Sequence, residues 1–214
     1  MKYLTVQYSE RDGRRRRLVP AIFGIFGHGN VSGLGQALES MGVNLPLYQA
    51  RNEQSMVHVA SGYAKATRRA ATLACTSSIG PGATNMVTGA ATATINRLPV
   101  LLFPSDYYVT RHQGNVLQEL EHPTEADVSV NDCFRPISRF FDRISRPEQL
   151  LTALPEAMRV LTDPADTGTV TICLPQDVQS HAYHFPSHLF EERIWRIERT
   201  PPIAQRINEA ALLI

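Results

Sequence analysis

The sequence has few cysteines, no excess of charge of one sign and no long apolar run. Its three cysteines, Cys75, Cys133 and Cys173, are far apart and form no CxxC pair, which argues against a secreted disulfide scaffold. Lys and Arg number 21 against 20 Asp and Glu, so a net charge of +1 gives no reason to expect nucleic-acid or membrane partners. No run approaches the ~18 apolar residues of a membrane span, and no signal-peptide core is present. We therefore expect a cytoplasmic protein.

Two local features could suggest other functions. The arginines Arg14–Arg17 could form a nucleic-acid or localisation patch, but we interpret them as a solvated loop. His181, His184 and His188 have a suggestive spacing, yet Pro186 prevents them from sharing one helical face. Neither HExxH nor GxSxG occurs, so the sequence predicts no metal site and no serine hydrolase.

Short apolar runs alternate with helical patterns over most of the chain, which has 214 residues and so enough length for one α/β domain. The predicted strands are 21–26, 45–48, 71–76, 100–104, 137–141 and 169–174. The predicted helices are 33–41, 53–68, 82–96 and 147–161. Strands joined by helices predict an α/β fold with a doubly wound parallel sheet of about six strands and helices on both faces.

The pattern divides the chain into three parts. We expect an N-terminal extension over 1–19, the α/β domain over 20–180, and a linker with the incomplete start of a further domain over 181–214. Within the α/β domain, residues 106–130 are polar and weakly periodic, which predicts a loop with at most a short helix.

Glycines frame the end of the first predicted strand, in Gly24-Ile-Phe-Gly-His-Gly-Asn30, and Gly33-x-Gly35 opens the next helix. Glycines let a backbone approach a ligand and leave helix N–H groups free to face it. The spacing is not GxGxxG and no acidic residue ends the next strand, so dinucleotide binding is disfavoured. A tight turn without any ligand stays an alternative.

Glu53 opens the second predicted helix at the carboxyl edge of the sheet, where ligands bind in such folds. A role limited to stabilising the helix dipole is the alternative. Gly80-Pro81-Gly82 follows the third predicted strand, and two glycines around a proline form a rigid turn that could seat a flat ring or be only structural.

In this order, three segments resemble the pyrimidine-binding domain of the acetolactate-synthase-like thiamine-diphosphate family. They are Glu53 with the helix ending in GYAKAT (62–67), GPGATN (80–85) followed by RLPVLL, and RPEQ (146–149) followed by VTICLPQDV (170–178). The resemblance covers about 20–180. Within the family, the stretches IFGHGNVSGLGQAL and CFRPISRFFDRISRPEQL are most similar to the branch that hydrolyses a cyclic polyol dione in myo-inositol breakdown.

The resemblance implies thiamine diphosphate and Mg²⁺ as cofactors, with Glu53 hydrogen-bonded to N1′ of the aminopyrimidine as the catalytic carboxylate. It places the pyrimidine on a seat formed by Gly80, Pro81, Gly82 and Asn85. Weaker candidates, for contact with a small cyclic dione substrate, are His28, Asn30, Gln113 and Gln118.

The sequence departs from the family in one respect. The GDG…N segment with which the family binds diphosphate and Mg²⁺ is absent from this chain. We therefore expect half of a site, inactive alone and completed by the diphosphate-binding domain of a second subunit in a homo-oligomer, a dimer or larger. A carboligase or decarboxylase of the same family and a non-catalytic interaction fragment stay open as alternatives.

Overall fold

The structure is a computed structural model that describes residues 1–112, 116–118, 120, 122 and 124–214. Its strands are β1 (Gln7–Arg11), β2 (Arg14–Arg17), β3 (Ile22–Gly24), β4 (Leu47–Gln49), β5 (Ala74–Ser77), β6 (Val100–Asp106), β7 (Phe140–Arg143), β8 (Thr169–Pro175) and β9 (Arg193–Arg196). Strands β3 to β8 form one sheet in the order β4-β3-β5-β6-β8-β7, and every neighbouring pair is parallel. The six-stranded parallel sheet predicted from the sequence is confirmed.

Helices cover both faces of this sheet. The α-helices of the described residues are α1 (Lys2–Thr5), α2 (Gln36–Met41), α3 (Glu53–Ala66), α4 (Pro81–Thr84), α5 (Val87–Ile95), α6 (Leu150–Leu161) and α7 (Ala204–Ala211). Of these, α7 has no buried residue and covers neither face. One buried cluster joins α2 and α6 to the sheet, and a second joins α3, α4 and α5 to its other face. Among the helices of the described residues, none has the length and apolar character needed to cross a bilayer.

The helix α3 illustrates why these residues adopt this structure. Its buried positions Met56, Val57, Ala60 and Ala64 recur at helical spacing, so one face packs into the core. At its start, Asn52 accepts a hydrogen bond from the backbone N–H of Ser55 at 2.9 Å, which caps the first turn.

Two of the predicted helices are interrupted. The first begins as a π-helix over Val31–Gly35 before α2, and the third divides into α4 and α5 at Asn85 and Met86. In the first, Gly33 and Gly35 weaken helical propensity, which the apolar periodicity alone does not reveal.

The chain outside the main sheet differs most from the sequence prediction. Arg14, Arg15 and Arg16 are exposed as expected and Arg17 is half-buried, but all four form the strand β2 rather than a loop. Strand β2 pairs antiparallel with β1, and β1 pairs in parallel with β9 from the predicted linker. The indole N–H of Trp195 donates to Gln7 Oε1 at 2.9 Å across this second sheet. The domain limits at 20 and 180 stay a prediction.

Candidate functional site

The connections after β3 and β5 run to opposite faces of the sheet. From β3 the chain passes to α2 on one face, whereas from β5 it passes to α4 and α5 on the other. Since β3 and β5 are neighbours, their carboxyl ends form the topological switch point, where open α/β sheets bind ligands. A cavity of about 580 Å³ opens there, and its lining includes Ile25, Phe26, Glu53, Gly82, Asn85 and Gln118.

Glu53 is the single charged residue among the described residues that line this cavity. It is the first residue of α3, and its carboxylate Oε2 accepts a hydrogen bond from Asn85 Nδ2 at 2.7 Å. No described residue donates a side-chain hydrogen bond to Oε1. The structure therefore brings together two residues 32 positions apart that the sequence had placed at one site.

The turn that carries Gly80, Pro81 and Gly82 forms one wall of the cavity. Gly80 has φ 60° and ψ −123°, a backbone conformation that is strained for any residue with a side chain. An added Cβ there would also overlap the backbone oxygen of Gln118. At Gly82 an added Cβ would lie 3.3 Å from Glu53 Oε1. Pro81 occupies the first position of α4, where its missing N–H costs nothing. The backbone thus approaches the carboxylate with no side chain between them.

The residues predicted to contact substrate do not share one environment. Gln118 lines the cavity, and His28 follows the lining residue Gly27. The ring Nε2 of His28 is buried with no hydrogen-bond partner among the described residues. Gln113 lies outside the described residues.

Asn30 is fully buried. Its Oδ1 accepts from the Gly27 N–H at 3.0 Å, and its Nδ2 donates to Ile25 O and to Thr76 Oγ1, each at 3.2 Å. These bonds stabilise the glycine-framed loop. They use both amide protons of Asn30, so neither proton is free for a ligand.

A buried ionic network anchors the segment that carries Gln118. Asp106 ends β6 and accepts hydrogen bonds from the Tyr107 N–H at 2.9 Å, from Ser129 Oγ at 2.5 Å and from Arg143 Nε at 2.7 Å. Burial disfavours the charge of Arg143, but attraction to Asp106 outweighs it, and the pKa of Arg143 is raised. Beyond Tyr107, Asp177 accepts from the N–H groups of Val109 and Thr110 at 3.1 and 3.2 Å. Both ends of the segment are therefore held to the sheet.

Sequence reasoning did not assign Ile25, Phe26 and Ser78 to the site, although all three line the cavity. Their signal was present, because they follow strands whose carboxyl ends meet at the switch point. Within the described ranges, no group of three or more His, Cys, Asp or Glu side chains converges as a metal site.

Comparison with known proteins agrees with this geometry. Residues 15–126 match the model of the thiamine pyrophosphate enzyme, N-terminal TPP binding domain. The chain is similar over all 214 residues to proteins named 3D-(3,5/4)-trihydroxycyclohexane-1,2-dione hydrolase. Identity is 53% for that of Bacillus cereus (strain AH820) and 54% for that of Clostridium tetani (strain Massachusetts / E88). The chain spans about a third of these relatives' length, 33% in each case.

Proposed function

Because the chain belongs to the thiamine pyrophosphate enzymes, and contains their N-terminal TPP-binding domain, we propose that it provides the pyrimidine half of the cofactor site. The cavity at the β3–β5 switch point would hold the aminopyrimidine, with Glu53 beside the ring nitrogen. The observation that carries this proposal is the hydrogen bond from Asn85 to Glu53 over a turn that has no side chain at Gly82.

The residues present fit an aminopyrimidine. A flat heteroaromatic ring needs an apolar wall and a few fixed polar groups. Ile25 and Phe26 supply apolar surface, and the Gly80-Pro81-Gly82 turn supplies backbone with nothing protruding. A Cβ at residue 82 would intrude on the space beside the carboxylate, 3.3 Å from Oε1, which supports the need for glycine there.

Glu53 is suited to hold and transfer a proton at one of its oxygens. Asn85 occupies Oε2, so Oε1 is the oxygen left for the cofactor's ring nitrogen. Asn85 also fixes the plane of the carboxylate, and such orientation is what general acid–base catalysis requires before any proton moves. The bound cofactor would supply the carbon nucleophile that adds to a carbonyl group and accepts charge as a C–C bond breaks.

We propose further that the whole enzyme is a C–C hydrolase that opens the ring of 3D-(3,5/4)-trihydroxycyclohexane-1,2-dione with water. The support is the similarity to hydrolases of that name over the full chain. A polyol dione needs hydrogen-bonding groups beside the cofactor. We assign two residues to substrate contact: His28, whose buried Nε2 has no partner among the described residues, and Gln118, in the cavity wall.

The remainder of the site would come from elsewhere. We propose that the diphosphate-binding domain of a second subunit covers the cavity and contributes the Mg²⁺ and diphosphate contacts, in a dimer or larger homo-oligomer. The cavity is open on this chain, and the neighbouring edge strand β4 exposes Leu47 and Tyr48, with 39% and 53% of their surface accessible. Exposed apolar groups beside an open site are typical of an interface.

The pyrimidine site can be tested on this chain alone. We expect the free hydroxymethyl aminopyrimidine, which corresponds to the cofactor's pyrimidine half, to shift the NMR signals of Glu53 and Asn85 at millimolar concentration. Glu53→Gln should weaken the effect, whereas Glu39→Gln, which removes an exposed carboxylate from α2, should not. Signal changes confined to other parts of the chain would contradict the assignment.

The reaction can be tested in a chimera in which this chain replaces the matching third of the Clostridium tetani relative. We expect the chimera to consume the cyclic dione and release an open-chain acid when supplied with thiamine diphosphate and Mg²⁺. A folded chimera that instead condenses or decarboxylates 2-oxo acids would overturn the substrate assignment. A folded chimera that is inactive in both assays would favour a non-catalytic role.

A further inference from the structure

A second cavity, of about 470 Å³, lies at the end of α3 that is remote from the cofactor cavity. It is lined by Arg11, Asp12, Arg14, Arg16, Arg68 and Arg199 together with the end of α3. Glu53 begins α3 and Ala66 ends it, so the length of the helix separates this cavity from the cofactor cavity by about 20 Å. The proposed function uses none of its residues.

The pairing of β1 with β2 explains why arginines gather there. Asp12 and Gly13 form the hairpin turn, with φ values of 54° and 70°. Arg14 lies directly opposite Arg11, and Arg16 lies opposite Ser9, whose hydroxyl bonds the backbone oxygen of Ala70 just beyond α3. Since alternate residues of a strand share a face, Arg14 and Arg16 lie on the same face of the hairpin as Arg11.

The other two arginines of β2 already have partners. Arg15 forms an ion pair with Glu192 and stacks over the ring of Tyr8 at 4.0 Å. Arg17 donates to the backbone oxygen of Asn44 at 2.5 Å. The alternation of the strand therefore separates partnered arginines on one face from those that line the cavity on the other.

Charge in the cavity is unbalanced. Asp12 is its one carboxylate, and both of its oxygens are occupied by Arg199, at 2.7 and 2.6 Å. Among the described residues, no carboxylate lies within 4.0 Å of Arg11, Arg14, Arg16 or Arg68. Burial lowers the pKa of Arg11, and repulsion from Arg199 lowers it further. The cluster stands out because the chain as a whole carries a net charge of only +1.

The backbone at the end of α3 is also unusual. Arg68 and Arg69 have φ values of 53° and 63°, a left-handed conformation in which helices commonly end with glycine. Arginine is strained there, yet Arg68 lines the cavity and its backbone oxygen accepts a bond from Arg11 Nη2 at 2.5 Å. Strain of this kind persists only where the surrounding structure holds the backbone in place, and such residues cluster at ligand sites.

We propose that this cavity binds a small, multiply charged anion that carries phosphate groups. Guanidinium groups match phosphate oxygens with paired donors. The arginines converge on one concave site from the hairpin, the end of α3 and the segment after β9, rather than along an extended stripe. No aromatic side chain lines the cavity on which a nucleic-acid base could stack, so its described lining favours a compact anion over a single-stranded polymer.

Pyrophosphate is the probe for the test, and the 214-residue chain is the sample. We expect one pyrophosphate per chain in calorimetric titration at low ionic strength, displaceable by inorganic phosphate and weakened by added salt. Arg14→Gln should weaken binding about tenfold, because a charge-assisted contact is lost. Arg17→Gln is the matched control, since it removes an arginine from the same strand but from the opposite face.

Arg68→Gly gives a test that separates ligand binding from stability. Relief of the left-handed strain should raise the Tm of the ligand-free chain by about 2–4 °C, while the rise in Tm caused by pyrophosphate should be lost. A merely structural arginine would also give the first result, but it would leave the rise in Tm caused by pyrophosphate intact. An unchanged response to pyrophosphate in both Arg14→Gln and Arg68→Gly would overturn the proposal.

Two further arms identify the ligand class. A DNA duplex that binds more tightly than pyrophosphate and is not displaced by it would overturn the small-anion proposal in favour of nucleic acid. Pyrophosphate binding should be unaffected by Glu53→Gln, which would place the ligand away from the cofactor cavity. The pyrimidine probe used for the proposed function carries no phosphate, so failure of either experiment leaves the other interpretable.

Discussion

Replacing Glu53 by glutamine should separate catalysis from stability. The side chain keeps its shape, and an amide oxygen can still accept the hydrogen bond from Asn85, which spans 2.7 Å in the structure. Two contributions to the free energy of unfolding are lost. A negative charge at the first residue of a helix contributes roughly 0.3–1 kcal/mol, and a hydrogen bond to a neutral rather than a charged acceptor is weaker by about 1 kcal/mol.

The total loss of about 1–2 kcal/mol is small against the 5–15 kcal/mol that is typical of a folded domain. Urea denaturation of the 214-residue chain should therefore show a cooperative transition with a slightly lower midpoint. Turnover of the dione by the chimera should fall by roughly 10²–10⁴-fold, the usual contribution of general acid–base catalysis. Activity within tenfold of the unmodified chimera would refute the role of Glu53, and Glu39→Gln controls for the loss of a carboxylate.

His28→Ala in the chimera should raise KM or lower kcat for the dione without loss of cofactor affinity, because it removes the buried Nε2, which has no partner in the part of the chain that the structure describes; unfolding would instead assign His28 to structure. The 214-residue chain alone should bind thiamine diphosphate with Mg²⁺ more weakly than micromolar in calorimetric titration, because pyrimidine contacts must first offset about 4 kcal/mol or more of association cost. Micromolar binding would show that the cofactor site is misplaced. Arg143→Met should lower the free energy of unfolding by about 3–5 kcal/mol, because Asp106 would stay buried without its cation; a loss below about 1 kcal/mol, within the range of an exposed pair, would contradict this. Burial opposes the charge of Asp132, but hydrogen bonds from Arg135 and Ser129 lower its pKa below 3.8. Its contribution to stability is thus present above pH 3.8 and lost as the pH falls through the folded-state pKa, and Asp132→Asn should make acid unfolding less steep.

The sequence contains a local signal for one part of the second sheet, the hairpin of β1 and β2. Asp12-Gly13 is a strong hairpin signal, yet the arginines that follow it lack the apolar alternation by which a strand is usually recognised. The pairing of β1 with β9 joins segments almost the whole chain apart, as the bond from Trp195 to Gln7 shows. No local pattern encodes such a pairing.

The sequence by itself determined the class of the fold and the position of the catalytic candidate. Apolar runs of strand length alternating with helical periodicity are local properties, and they predicted the six parallel strands and the start of α3 at Glu53. The order of motifs along the chain was sufficient to predict the family, and the match over residues 15–126 confirms that prediction.

The tertiary structure alone decided which polar groups are free and which are already used. Asn30 and His28 are two residues apart in one loop. The amide of Asn30 forms its hydrogen bonds within the fold, whereas Nε2 of His28 has no hydrogen-bond partner among the described residues. In β2, likewise, Arg15 has an ion-pair partner, and Arg14 lines the cavity with no described carboxylate beside it. Hydrogen bonds and ion pairs depend on distances of a few ångströms between residues remote in sequence, and only the packing of the elements sets those distances.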